Sequence, residues 1–349
     1  MTVARRDQSL YTDLARAVRD SGLMRRRHGW YSAQIATMVA LFVLVWVAVV
    51  LVGDSWWQLL LAVALGAVVT QFGFLGHDAA HQQVFASSAW NEWTARVLAG
   101  AFAGLAYGWW RGKHHKHHAA PNQEGRDPDI APGAIAFTAA IAEARAGGPR
   151  GWFVRHQGWL FFPLLTLEGL HLHASSVRLL LGRAPVRHRW AELVLVVPRL
   201  AGYVVVLLLL LPPGKAAAFF VVQMAVFGFW LGCSFAPNHK GMPIVPAATQ
   251  LDFLRRQVLM SRNVGGGLVL ETAMGGLNLQ IEHHLFPSMP RPNLRRVRPM
   301  VQAYCREHDV AYTETSLLAS YALVVDYLNH VGLRARGPFE CPLAERLRA

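Results

Sequence analysis

Histidines at three places in the chain have the types and spacing to hold metal: His77 and His81 in GHDAAH, His114, His115, His117 and His118 in KHHKHH, and His283 and His284 in QIEHHLF. These clusters contain eight of the sixteen histidines and are separated by long apolar runs. Imidazole is the commonest protein ligand for metals, and residues three or four apart share a helix face, so each cluster can direct several nitrogens at one point. Eight donors are more than one ion takes, since an octahedral first-row metal has about six positions. The count favours two metals with coordination left open, as oxygen chemistry requires. A structural zinc site prefers four ligands in a closed tetrahedron. A zinc hydrolase would place glutamate after the first histidine of an HExxH helix; here Asp78 follows His77 and the spacing is one residue longer. His171 and His173, two apart, would not share a helix face and read as structural. His28, His156, His188, His308 and His330 are isolated and carry no assignment.

The elements that must position these clusters are apolar. The chain has 349 residues, of which 53% are hydrophobic and 16% charged, the balance of a membrane protein rather than a soluble globule. Residues 35–52, 56–76 and 216–235 are free of charge, and each is long enough, at about 1.5 Å per residue, to cross a hydrocarbon layer about 30 Å thick. A fourth run, Leu193 to Leu211, contains Pro198 and Arg199, which a spanning helix tolerates if the proline kinks it and the arginine snorkels to the headgroups. Val97–Trp110 and Trp159–Leu172 are short for a span. If Val97–Trp110 crossed alone, the first two histidine clusters would lie on opposite sides of the membrane. The simplest solution is an all-α integral membrane fold with two helical hairpins, residues 35–76 around Gly53-Asp54 and 193–235 around Pro212-Pro213-Gly214, and all three clusters on one face.

Within one domain spanning 1–349, this reading gives a cytoplasmic amphipathic segment (1–30), the first hairpin (35–76), a cytoplasmic region with the first two clusters (77–192), the second hairpin (193–235) and a cytoplasmic region with the third (236–349). Leu10, Leu14, Ala17 and Val18 recur at helical spacing, which predicts a helix on the membrane surface rather than a signal peptide. In the last region, 294–306 and 316–333 carry helical patterns between glycine and proline turns at 265–267 and 287–292, enough chain for a helical cap over the site.

Seven arginines precede residue 30, whereas the two hairpin turns together carry only Lys215, so the N-terminus and the histidines are expected on the cytoplasmic side of the membrane. The formal charge of +13 belongs mainly to that face and to its attraction for anionic lipid; a nucleic-acid partner is not expected. Part of the charge can hold an anionic headgroup such as the phosphates of coenzyme A, and Arg111, Lys113, Arg126, Arg150 and Arg155, near the second cluster, are the candidates. Cys233, Cys305 and Cys341 form no disulfide framework and are expected to be reduced.

The order HxxxH (His77, His81), HxxHH (His114, His117, His118) and QxxHH (Gln280, His283, His284) resembles the membrane-bound fatty acid desaturases, and the glutamine of the third box resembles their front-end branch and its bacterial relatives, which implies a bacterial cytoplasmic membrane. The likeness extends to Trp109-Trp110, PNQEGRDPDI after the second box, FAPNHKGMP at 235–243 and NLQIEHHLFPSMPRPNL at 278–294. It implies four transmembrane helices under a cytosolic helical cap, and two irons that use dioxygen to remove two hydrogens from adjacent methylenes of an acyl-CoA or acyl-lipid. It assigns His77, His81, His114, His117, His118, His283 and His284 as iron ligands, and His239 in PNHKG fits the place of one further histidine after the fourth span. Asn238 can act there through water. Gln280 can coordinate weakly or donate a hydrogen bond, and Asp78 and Glu282, inside boxes, are expected to hold imidazole N–H groups in orientation. Asp127 and Asp129 can equally form the turn around Pro128. His115 lies outside HxxHH and is expected to be a neighbour. Front-end desaturases of eukaryotes carry a fused cytochrome domain with a His-Pro-Gly-Gly motif that this sequence lacks, so electrons are expected from a separate ferredoxin or reductase docking on the basic face. Hydroxylation, or action on sphingolipid, sterol-like or carotenoid substrates, remains open on the boxes alone. A metal transporter fits least, because transport sites lie near the bilayer midplane.

Overall fold

A computed structural model describes residues 2–333, and side chains from residue 10; Cys341 lies outside the described residues. In chain order the helices are α1 (Thr2–Asp20), α2 (His28–Val52), α3 (Gln58–Ala80), α4 (Ser88–Arg96), a π-helical turn (Val97–Ala103), α5 (Tyr107–Ala119), α6 (Ala139–Glu143), α7 (Gly148–Leu165), α8 (Glu168–Leu181), α9 (Arg189–Leu210), α10 (Pro213–His239), α11 (Phe253–Leu259), α12 (Leu268–Ala273), α13 (Gln280–Leu285), α14 (Arg291–Glu307) and α15 (Leu317–Leu333). Strands β1 (Asn263–Gly265) and β2 (Glu314–Ser316) pair in parallel. The chain forms two compact units, one of residues 26–112 and 164–233, the other of 1–25, 113–163 and 234–349.

Among the described residues four helices are long and apolar enough to cross a membrane, α2, α3, α9 and α10, and the first unit holds the greater part of them. α2 and α9 expose Leu44, Val47, Leu51, Val205, Leu208 and Leu209 along their outer faces, a surface that lipid satisfies and water would not. The turn between α2 and α3 is tied by Gln58, whose Nε2 donates to the carbonyls of Val49 and Gly53, both at 2.8 Å. Lys215 pairs with Asp54, so the two hairpin turns lie at one end of this unit. Trp56 and Trp57 stand exposed beside that pair, where an interfacial belt places such rings.

Neither short apolar segment is among the helices long and apolar enough to cross. Residues 97–103 form the π-helical turn, whose wider winding leaves carbonyls for side chains. Phe102 O accepts from Arg199 Nε at 2.9 Å and Ala103 O faces His173 Nε2 at 2.9 Å. Arg199 therefore meets a protein carbonyl instead of snorkelling, and it lies over the Tyr203 ring at 5.0 Å. His173, read as structural because it and His171 are two apart, makes a buried backbone contact here, and burial holds its imidazole down at about 4, in the neutral form. The break between α7 and α8 sits against α10, where a Cβ on Gly228 would meet Gly169 N at 2.4 Å and Leu165 O at 2.7 Å. Only glycine allows that approach.

In the second unit, α1 carries the expected amphipathic pattern but buries it in protein. Leu14 and Val18 join Leu254, Val258, Leu285, Leu294 and Val297 in one core, and Tyr11 donates to Leu285 O at 2.9 Å. The stripe read as a membrane-surface face is thus taken up by α11, α13 and α14, which offer it an apolar surface of their own. The expected helices of the last region appear as α14 and α15, joined by the small sheet, which the sequence pattern did not show.

Candidate metal centre

The second histidine box lies on α5, a helix fixed at both ends. At its start the Glu192 carboxylate accepts the Gly108 N–H at 3.0 and 3.2 Å, an anion at a helix N-terminus, and Arg96, buried, pairs with the same carboxylate at 3.4 Å. At its end Arg256 donates to Ala119 O and Gln257 to His118 O, both at 3.0 Å, satisfying carbonyls that a helix leaves open. His114 and His117 are buried, His118 is half-buried and His115 is exposed, as its position outside HxxHH anticipates. The third box lies on the single-turn α13, where Gln280, His283 and His284 are all buried. His239 ends α10.

Three of these histidines, His117, His239 and His284, bring one nitrogen each to within 4.8 Å of the others. Each has its other nitrogen tied. His117 Nδ1 meets both oxygens of Asp127, at 3.0 and 3.1 Å; His239 Nδ1 meets Met260 O at 2.9 Å; His284 Nδ1 meets Gln257 Oε1 at 2.9 Å. A carboxylate and a carbonyl only accept, so the first two rings carry their protons on Nδ1. Gln257 must donate its NH2 to His118 O, which turns its oxygen to His284 and sets the same tautomer there. All three Nε2 atoms are therefore lone-pair donors facing one point, and His117 Nε2 stands 3.2 Å from His239 Nε2. Two lone pairs facing at that distance repel unless a cation lies between or beside them. The donor set thus fits a metal ion held by neutral imidazoles. His114 Nε2 and His118 Nε2 stand 2.9 Å apart, His118 stacks on His284 with ring centroids 4.2 Å apart, and His283 lies edge-on to His118 at 4.9 Å. Burial, with the Arg291 charge adding to it, holds His283 down at about 3, so it too is neutral.

Asp127 makes the turn expected of it and has a further role toward His117. It accepts the N–H groups of Asn122 at 2.7 Å and Asp129 at 2.9 Å, making the turn, and it orients His117. Burial alone would raise its carboxyl; the hydrogen bond from His117, with the Lys240 charge nearby, holds it below the usual carboxylate range. Asp129, half-exposed, lies farther from His117 Nδ1, at 3.4 Å, and pairs with Lys113 at 2.9 Å. His117, Asp127 and Asp129 could themselves group around an ion, but their shared nitrogen is the one already protonated toward Asp127.

The other residues singled out fall as follows. Asn238 donates to Ser234 O at 2.8 Å and to Gln280 Oε1 at 3.4 Å, so Gln280 turns its NH2, not its oxygen, to His239 Nε2 at 2.9 Å. Asn238 Oδ1 is buried and accepts no hydrogen bond from the described residues. Glu282 does not hold an imidazole among its described hydrogen bonds. Its carboxylate takes Asn263 Nδ2 and the Tyr312 hydroxyl, each at 2.7 Å, while Asn263 Oδ1 accepts the Ile281 N–H. The β1–β2 pair puts Asn263 and Tyr312 in place for this grip on α13, and burial raises the Glu282 carboxyl. In the other unit, His77 and His81 close α3 with ring centroids 4.6 Å apart and Trp110 against both; Asp78 Oδ1 is 3.7 Å from His77 Nδ1. Of the headgroup candidates, Arg111 pairs with Glu92 at 3.5 Å, Lys113 with Asp129, and Arg126 donates to Gln123; Arg150 and Arg155 are exposed. Sequence reasoning missed Gln257 and the Met260 carbonyl, neither of which lies in a box.

Residues 54–316 match the family described as fatty acid desaturase. The chain is 28% identical over 326 residues to fatty acid desaturase 3 of Bos taurus, covering 91% of this chain and 72% of that protein. It is 27% identical over 284 residues to the acyl-lipid (9-3)-desaturase of Borago officinalis, covering 78% of this chain and 63% of that one. It is 31% identical over 274 residues to the acyl-lipid (9-3)-desaturase of Physcomitrium patens, covering 75% and 51%.

Proposed function

From the premise that this chain belongs to the fatty acid desaturase family, we propose that it is a two-iron, dioxygen-dependent enzyme that puts a cis double bond into an acyl-CoA or acyl-lipid chain. It is an integral membrane oxidoreductase of fatty acid metabolism, and its family generally uses a di-iron centre. The ligands are His77, His81, His114, His117, His118, His239, His283 and His284. The observation that carries the reading is the set of three buried imidazoles with every Nδ1 tied and every Nε2 turned to one point.

The iron pair, when bound, supplies the oxidising power to break two unactivated C–H bonds with dioxygen. The chain's own residues hold the donors neutral and oriented: Asp127, Met260 O and Gln257 keep the Nδ1 protons in place, so the Nε2 lone pairs need no reorganisation. Burial of His239, His283, His284 and Gln280 keeps bulk water from the centre, which protects a strong oxidant from side reactions. Asn238 Oδ1 supplies an acceptor for a water at the centre. The exposed Arg150 and Arg155 remain candidates for an anionic headgroup, whereas Arg111 and Lys113 are engaged by carboxylates. A separate electron donor, a ferredoxin or reductase, serves the enzyme from the cytoplasmic side of a bacterial membrane, where the N-terminus also lies.

The test is expression in a host lacking the activity, with fatty acids profiled by mass spectrometry beside a variant with His283→Ala and His284→Ala. A new unsaturated acid made by the parent alone is the expected result. Hydroxylated lipids in its place would keep the metal chemistry and overturn desaturation.

A further inference from the structure

Outside the boxes, one short helix meets three of the segments that carry the histidines. α11 touches the end of α5 through Arg256 and Gln257, His284 through Gln257, and His239 through the carbonyl of Met260, the residue that closes the helix. Gln257 alone makes two of these contacts at once. Its Nε2 donates to His118 O at 3.0 Å and its Oε1 accepts from His284 Nδ1 at 2.9 Å, and the side chain is fully buried. The two bonds are not independent. An amide that must donate on one side can only accept on the other, so the backbone of the second box decides which nitrogen of His284 bears the proton.

We propose that Gln257 is a positioning residue of the metal centre, coupling the end of the second histidine box to the tautomer and ring orientation of His284 in the third. The proposal rests on the reading of these histidines as iron ligands. Without the amide, His284 loses the acceptor that keeps its proton on Nδ1, the ring is free to turn or to protonate Nε2, and the His118 carbonyl loses its donor. α11 itself is held from behind: Asp252 accepts the Arg255 N–H at its start, and Leu254 and Val258 pack against Leu14 and Val18 of α1. The N-terminal helix thereby backs the element that sets two ligand tautomers.

The experiment uses the full-length protein in detergent or nanodiscs with Gln257→Leu and Gln257→Glu. Glutamate keeps an acceptor for His284 Nδ1 and loses the donor to His118; leucine loses both at similar volume. Each protein is loaded with iron, then titrated with a chelator, and loaded separately with cobalt(II) for its visible ligand-field spectrum. Size-exclusion profiles and thermal midpoints of the metal-free proteins report folding. Removing an outer partner of a metal-bound histidine weakens metal binding about 10–100-fold. We expect that loss in Gln257→Leu with an altered cobalt spectrum, and metal retention within about threefold of the parent in Gln257→Glu, a range well inside that loss. A folded Gln257→Leu that holds iron and cobalt as the parent does overturns the proposal. So does Gln257→Glu failing as fully as leucine, because backbone support alone would then be the role. A parent that retains no iron overturns the metal reading itself, an outcome distinct from a failure confined to the variants.

Discussion

Asp127 and Asp129 both lie near His117 Nδ1, and burial decides which of them the metal centre depends on. Asp127 is buried and accepts four short contacts: two from His117, at 3.0 and 3.1 Å, and the N–H groups of Asn122 and Asp129. Asn122 is itself buried, so Asp127→Ala strands its N–H and the His117 N–H together. Each stranded buried donor costs about 1–3 kcal/mol, so the variant is destabilised by about 2–6 kcal/mol. Its iron affinity falls toward the larger end of the 10–100-fold range, about 2.7 kcal/mol. Asp127→Asn keeps one oxygen, which can still serve Asn122 and His117 from the same side. It loses the charge and turns an NH2 toward the half-exposed Asp129 N–H, which water can satisfy; the expected loss is about tenfold, or about 1.4 kcal/mol. Asp129→Asn should change iron affinity less than about threefold, because a half-exposed pair with Lys113 is screened and lies farther from the ring. Chelator competition on purified protein measures all three, with thermal unfolding alongside. Equal losses in Asp127→Asn and Asp129→Asn, or no loss in Asp127→Asn, would refute the argument from burial.

Two further outcomes follow from packing and from a buried thiol. Gly228→Ala drives a Cβ into the Gly169 N and Leu165 O backbone atoms, which cannot give way as a side-chain tip can, and should cost about 1–3 kcal/mol as a lowered thermal midpoint. Gly202→Ala on α9, with nothing within 4 Å of the new Cβ, should leave the midpoint unchanged or raise it slightly; equal effects at the two sites would sink the packing argument. Burial, and then the Glu282 carboxylate, push the Cys305 thiol up to about 12 from an ordinary value of 9.0. A raised folded value means its contribution to stability is complete below about pH 9 and is lost as pH rises toward about 12, by about 1.4 kcal/mol per pH unit. The midpoint of the parent should therefore fall more steeply with alkali than that of Cys305→Ala, and iodoacetamide at pH 8 should modify Cys305 only after unfolding; labelling of the native thiol would show the site to be open.

The spans and the boxes were legible because each is a local pattern. A charge-free run of about twenty residues has one solution in lipid, and histidines three or four apart share a face whatever surrounds them. Helices α2, α3, α9 and α10 accordingly cover the runs expected to cross, and α14 and α15 the helical patterns of the last region. What was not legible depends on partners far away in sequence. An amphipathic stripe such as Leu14 and Val18 is the same whether lipid or α11 covers it. Arg199 near a span end reads as a snorkelling residue until a π-helical turn offers it the Phe102 carbonyl, 97 residues back. Glu282, placed between box residues, read as an imidazole partner; a three-residue parallel strand pair, too short for any periodicity, brings Asn263 and Tyr312 to it instead. Gln257 lies in a stretch with no motif, and the Met260 acceptor is backbone, which no residue type marks.

These hidden partners make the three histidines unequal. All present Nε2, but the groups behind them differ: a carboxylate for His117, a side-chain amide for His284 and a peptide carbonyl for His239. The strength of a hydrogen bond from an imidazole N–H rises with the negative charge of its acceptor, and with it the basicity of the opposite nitrogen. His117, the one of the three backed by a charged acceptor, is therefore the strongest donor. His239 Nε2 is also the atom that Gln280 approaches with its N–H at 2.9 Å, which draws its lone pair further from any ion. A metal held here would meet its strongest imidazole donor on α5, and on α10 a nitrogen that the Gln280 N–H already approaches. A change of coordination would be easiest beside His239, Gln280 and Asn238, where the buried Asn238 Oδ1 accepts no hydrogen bond from the described residues. The grading lies in which acceptor the fold sets behind each ring, so histidine spacing alone cannot convey it.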